Sequence, residues 1–186
     1  MAFFCRLYEK YIQDLTKDAT KGNFTYIDEF IYTDVGKDKK SSDAFIRKEN
    51  DLLVVEANNR KLFVKPVLQA DKSLAAVIDD KPEFVGVETA YIISVTMDNI
   101  NAVPNYYNVI HKEILDEKCT DKVKYFFNFS IEEYEMLMVL LERQVDIFAF
   151  LREYYENDKL KPFSTFLHDR FSGIGMTHFM ESCSSF

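Results

Sequence analysis

Two short apolar runs, residues 44–46 and 52–55, flank the polar stretch Arg47-Lys48-Glu49-Asn50-Asp51, and together they read as a β-hairpin. An acid closes each outer end: Asp43 enters the first strand, and Glu56 leaves the second thirteen positions later. Antiparallel pairing would bring both ends to one edge, where two carboxylates suit a hard divalent cation. Without a cation, a buried pair would repel and hold one acid protonated. Glu56 follows Leu52-Leu53-Val54-Val55, a run that suggests a strand buried on both faces. An acid there is costly unless it is paired or sits at the end of the sheet.

Around that hairpin, Phe3, Phe4, Leu7, Tyr8, Tyr11, Ile12 and Leu15 recur at spacings of three and four. This predicts one apolar helix face from about residue 2 to 18, with Gly22 as its stop. Residues 24–32, rich in Phe, Tyr, Ile and Thr, read as a strand, and the polar residues 34–42 as a loop. Residues 62–68 are expected to stay extended past Pro66, and Leu68, Leu74, Ala75, Val77 and Ile78 predict a short helix over 68–79. The β-branched run 89–96 reads as a buried strand, 103–117 as a helix opening near Pro104, and 124–129 as a further strand. Ser130-Ile131-Glu132-Glu133 is a capping box that opens a helix carrying Tyr134, Leu137, Met138 and Leu141. Two more helices are expected over 146–157 and 162–171, before Ser172-Gly173-Ile174-Gly175 breaks the chain. That order predicts an α/β sandwich with a C-terminal, mostly helical part. Residues 1–129 would form the core and 130–186 a helical extension packed on it, as one globular unit.

Composition permits this, since 186 residues that are 47% hydrophobic, with 17 Phe and 11 Tyr, suffice for one sizeable core. No apolar stretch approaches the roughly 20 residues that span a bilayer, and the first residues lack a signal-peptide plan. Cys5, Cys119 and Cys183 are scattered, with the spacing of neither a disulfide framework nor a zinc site. A cytoplasmic setting with no membrane partner is expected. The net charge of −8, from 31 acidic and 23 basic residues, argues against a module that wraps nucleic acid through bulk electrostatics. Arg47, Lys48, Arg60, Lys61 and Lys65 nevertheless reverse the balance near the two acids, either as a basic cleft or as solvated turn charges.

Tyr8-Glu9-Lys10-Tyr11 on the first helix, then Ser42-Asp43-Ala44-Phe45-Ile46, then Leu53-Val54-Val55-Glu56-Ala57-Asn58, resemble the PD-(D/E)xK nuclease superfamily over roughly residues 3–97. The resemblance implies a restriction-endonuclease-like mixed sheet flanked by helices, with a core of helix, three strands, helix and strand. It implies Asp43 and Glu56 as metal-binding carboxylates, Glu9 as the helix acid that several branches add, and the Ala57 carbonyl as a further oxygen ligand. Gln69 resembles a glutamine often found near the active site in the following helix. The implied cofactor is Mg²⁺ or Mn²⁺, and the implied activity is phosphodiester hydrolysis in nucleic acid, DNA ahead of RNA. Two positions depart from the pattern: Ser42 replaces the proline of the motif, and Asn58 replaces its lysine. Asparagine can orient a water by hydrogen bonding but brings no charge to the phosphate. Lys61, close behind, is the candidate for that missing cation.

Plainer readings stand beside these. Asp43 alone is an ordinary turn or cap residue, and Glu9 an ordinary solvated acid on a helix. His111, His168 and His178 have no metal-ligand spacing, and Gly173-Ile174-Gly175 lacks the strand and helix of a phosphate loop. The competing function is therefore a catalytically inactive nuclease-fold domain acting as a protein-interaction or scaffold module, favoured by Asn58 and the net acidity. An unrelated α/β binding domain with purely structural acids is the third.

Overall fold

The computed structural model describes residues 2–58, 64–97, 104–158 and 161–184. Helix α1 (Ala2–Ala19) buries Tyr8, Ile12 and Leu15 of the expected face, with Ala19 beside them and Tyr11 half-buried, whereas Phe4 and Leu7 at its first turns stand exposed. Gly22, at φ 65°, turns the chain away from the helix as a residue without a Cβ can. The strand expected over 24–32 is two strands, β1 (Thr25–Asp28) and β2 (Ile31–Asp34). The expected loop holds a third, β3 (Lys37–Lys40), which pairs with β2 as a separate two-stranded ribbon. Val35 and Gly36 both have positive φ (48° and 70°), the backbone of a tight hairpin turn that matches strand twist.

The hairpin that anchored the sequence reading forms as β4 (Ala44–Lys48) and β5 (Asp51–Asn58), in register from Ala44↔Val55 to Lys48↔Asp51. Beyond the undescribed residues 59–63, the chain is helical from Val64, as α2 (Val64–Val77), where an extended segment through Pro66 was expected. Proline is tolerated there because first-turn amides have no intrahelical partner to lose. Then follow β6 (Thr89–Thr96), α3 (Pro104–Glu117) and β7 (Val123–Ser130). The capping box opens α4 (Ile131–Glu142): Glu133 N–H donates to Ser130 Oγ at 3.2 Å, and Ser130 N–H to Glu133 Oε2 at 3.0 Å. Of the next two helices, the first fills its expected span in two helical forms and the second is short. α5 (Ile147–Glu153) widens into a π-turn over Tyr154–Asp158, and α6 (Phe163–His168) stops early. Beyond the break at residues 172–175, where no element was expected, the chain carries α7 (His178–Ser184).

The central sheet runs β1-β4-β5-β6-β7, antiparallel across its first three strands and parallel from β5 to β7. Strand alternation divides the core in two. Ala44, Ile46, Leu53, Val55, Tyr91, Ile93, Phe127 and Phe129 face α1, α4, α5 and α6. Phe45, Leu52, Val54, Ala90, Ile92 and Phe126 face α2 and Ile114 of α3. Burial on both faces is what the unbroken apolar runs of β5 and β6 require. Among the described residues, no helix is long and apolar enough to cross a membrane, and no disulfide joins Cys5, Cys119 or Cys183.

Candidate active site

Both hairpin acids lie at the carboxyl end of β5, the edge where parallel strands present their loops and where open α/β sheets bind ligands. Asp43 sits one residue ahead of β4, and three ties fix it. Its N–H donates to the Val55 carbonyl at 3.1 Å, its carbonyl accepts from Gln13 Nε2 of α1 at 3.2 Å, and its Oδ2 accepts from the Ala57 N–H at 2.7 Å. Upstream, Ser41 and Phe30 are bound in both directions: the Ser41 N–H donates to the Phe30 carbonyl at 2.8 Å, and the Phe30 N–H donates to Ser41 Oγ at 2.9 Å. The β2–β3 ribbon is thereby clamped to the strand that carries Asp43.

Glu56 follows Leu52 and Val54 at the two-residue period, so it shares their α2-facing side of the sheet. It is only 8% exposed, and its Oε1 meets no hydrogen-bond partner among the described residues. Burial first, and then the charge of Asp43, raise the Glu56 pKa to about 8, with the Ser42 hydroxyl pulling weakly the other way. Asp43 is raised to about 7, chiefly by burial, with the Ala57 N–H opposing and Glu9 and Glu29 adding repulsion. In both acids the loss of hydration and the repulsion of neighbouring carboxylates disfavour the ionised form more than the Ala57 N–H, Lys40 and Ser42 favour it.

A cleft of about 240 Å³ opens over the pair. Glu9, Glu29, Lys40, Ser41, Asp43, Glu56, Ala57, Asn58, Pro66 and Gln69 line it, drawn from α1, the β2–β3 ribbon, β4, β5 and α2. Of the residues singled out in the sequence, Glu9, Asp43, Glu56, Ala57, Asn58 and Gln69 therefore share one cavity; Lys61 and Arg60 lie outside the described residues. Arg47 and Lys48 do not contribute to it. They stand at the opposite end of the hairpin, Arg47 binding the carbonyls of Glu49, Glu83 and Val85, and Lys48 pairing with Asp146 at 2.7 Å. Among the described residues, no three His, Cys, Asp or Glu side chains form a ready-made metal cage. Two acids above an open cleft still fit Mg²⁺, which keeps several waters and takes only one or two carboxylates.

Sequence reasoning missed two features of the site. One is Lys40, assigned to a loop, whose ammonium reaches the cleft from β3 while gripping both Glu29 oxygens at 3.1 and 3.2 Å. The other is a buried polar row: Glu56 is in register with Ser94 on β6, and Ser94 with Asn128 on β7. Both are 2% exposed or less, and Asn128 Nδ2 donates to the Ser94 carbonyl at 3.2 Å. The signal was present in the chain, since each residue interrupts an apolar stretch inside its strand, Ile92-Ile93-Ser94-Val95 and Phe126-Phe127-Asn128-Phe129.

No family model matches the sequence, and no curated protein matches it. Among solved structures the chain is similar to the small subunit of the heterodimeric restriction endonuclease R.BspD6I, at 12% identity, with a TM-score of 0.50 over 89% of this chain and 90% of that one. The fold is restriction-endonuclease-like. Helix α1, strands β1, β4 and β5, helix α2 and strand β6 supply the core, with the β2–β3 ribbon inserted between its first two strands. At this identity the likeness speaks for the fold and not for the chemistry.

Proposed function

We propose that this chain is a Mg²⁺- or Mn²⁺-dependent nuclease that hydrolyses phosphodiester bonds of DNA. The observation that carries the reading is the buried Glu56 carboxylate, with an unpartnered oxygen, beside Asp43 on the floor of a polar cleft. Such a pair is unfavourable in isolation and favourable around a cation. The restriction-endonuclease-like fold supports the same assignment.

In this reading Asp43 and Glu56 hold the metal, with the Ala57 carbonyl as a further ligand and Glu9 at the rim. When bound, the ion would neutralise charge on the scissile phosphate and acidify a water. The Ala57 N–H keeps Asp43 oriented. Asn58, at the motif's lysine position, orients the attacking water by hydrogen bonding. Lys40 supplies the cation that Asn58 lacks, exchanging Glu29 for the phosphate as negative charge builds there. Gln69 positions the substrate from α2. The solved neighbour is one subunit of a heterodimer, which supports a protein partner for this chain as well.

The test pairs thermal unfolding with cleavage. Mn²⁺ or Mg²⁺ is expected to raise the Tm of the wild-type protein, with the rise abolished in Asp43→Ala and Glu56→Ala, and plasmid is expected to be cut in Mn²⁺ by the wild type alone. A Tm indifferent to either cation would sink the metal site. Asn58 favours the second reading, an inactive nuclease-fold scaffold. That reading predicts a metal-dependent Tm without cleavage, and a gain of cleavage in Asn58→Lys.

A further inference from the structure

A second cavity, of about 550 Å³, adjoins the acidic cleft and shares Lys40 and Gln69 with it. One wall is the β2–β3 ribbon, through Tyr32, Lys39 and Lys40; the other is α2, through Lys65, Leu68, Gln69 and Lys72. Residues 65, 68, 69 and 72 follow the three- and four-residue helical period, so a single face of α2 is turned to the groove. Four of the lining residues are lysines and one, Glu117, is an acid, in a chain where acids outnumber bases by 31 to 23. Lys39 and Lys40 hold Asp34 and Glu29 in exposed ion pairs, a kind of contact that contributes little and exchanges readily. Lys65 and Lys72 are exposed and have no acid partner among the described residues.

From this juxtaposition we infer that the groove between the β2–β3 ribbon and α2 is the track for the sugar–phosphate backbone of the nucleic acid, leading it to the acidic cleft. The reasoning is electrostatic. An acidic surface repels a polyanion everywhere except where like positive charges are gathered and left uncompensated, so this groove sets the approach and direction of the strand. Tyr32 and Leu68, one from each wall, offer apolar surface that suits the sugars, while lysines along both walls suit phosphates spaced along a chain. The ribbon, which stands apart from the central sheet, is thereby given a task, and Lys40 joins the track to the reacting centre. This inference rests on the nuclease reading for its substrate, yet it uses none of the metal-binding carboxylates.

The test is fluorescence anisotropy of a short labelled DNA duplex with EDTA present, so that binding is read without cleavage. Lys65→Ala/Lys72→Ala is expected to weaken binding about tenfold and to lower the slope of log K against log salt by about 2, the release expected for two lost phosphate contacts. Lys124→Ala/Lys161→Ala removes the same charge outside the groove and is expected to change affinity less than about threefold. The Mn²⁺-dependent rise in Tm should persist in both double variants. Equal weakening by the two pairs, no weakening by either, or no binding of duplex by the wild type at low salt overturns the inference. If binding depends on Lys65 and Lys72 while no cation shifts the Tm, the groove stands and the nuclease reading falls. If the cation shifts the Tm but binding ignores these lysines, the groove alone falls.

Discussion

Replacing Glu56 by Gln should make the metal-free protein more resistant to alkaline conditions, although the side chain sits in the proposed active site. Glu56 titrates near 4.5 when unfolded and at about 8 in the fold. Between those values the folded state holds more protons than the unfolded chain, so stability falls as pH rises through the window, opposite to the case of a salt-bridged carboxylate. At about 1.36 kcal/mol for each pKa unit, the wild type loses roughly 3–4 kcal/mol between pH 5 and pH 8 on account of this one group. Glutamine does not ionise and carries no such loss. The assay is thermal unfolding of both proteins in EDTA across that range. For a chain of this size about 1 kcal/mol moves Tm by roughly 2–4 °C, so the difference between variant and wild type should grow by roughly 6–15 °C from pH 5 to pH 8. An unsatisfied amide would offset the variant's Tm equally at both ends, which is why the change in the difference is the quantity to read. Adding Mn²⁺ should restore the wild type at pH 8, where the carboxylates are available to it, and leave the variant unmoved. Parallel Tm profiles for the two proteins in EDTA would refute the argument, because they would mean that Glu56 is solvated or already paired.

Lys40→Gln is expected to cut the cleavage rate roughly 100-fold, the scale for removing one donor to developing charge, while the Mn²⁺-dependent Tm rise persists and Lys40→Arg retains most of the rate. Asp71, 1% exposed on α2, accepts the amides of Cys119 and Thr120. Asp71→Ala leaves both without their acceptor and should cost about 3 kcal/mol by denaturant unfolding, with an unchanged m-value. Ser130→Ala removes the N-cap oxygen of α4 and should cost about 1 kcal/mol by the same measurement.

The parts of the fold that were legible are those where local chemistry and tertiary burial point the same way. The β4–β5 hairpin combines two unbroken apolar strands with a polar turn, and α4 announces its start with a reciprocal cap. What escaped notice is where the two disagree. Lys37-Asp38-Lys39-Lys40 has no apolar alternation because β3 buries nothing, and its strand is set by the turn at Val35 and Gly36 and by pairing with β2. The same polarity hid its place beside the two cavities, for a strand that need not bury its side chains can turn them to a cavity wall. Conversely, Ser94 and Asn128 were absorbed into apolar strands because a single polar residue barely alters the pattern of a buried run. Only the register across β5, β6 and β7 shows that both stand in line with Glu56. Asp43 and Glu56 were readable because they end strands of one hairpin, a relation that the chain encodes within fifteen residues or so. Lys40 reaches the same cleft through a ribbon whose path depends on the Ser41–Phe30 clamp. A candidate site assembled from both kinds of residue is half visible in the sequence, and the invisible half carries the positive charge that the proposed phosphate contact requires of an acidic chain.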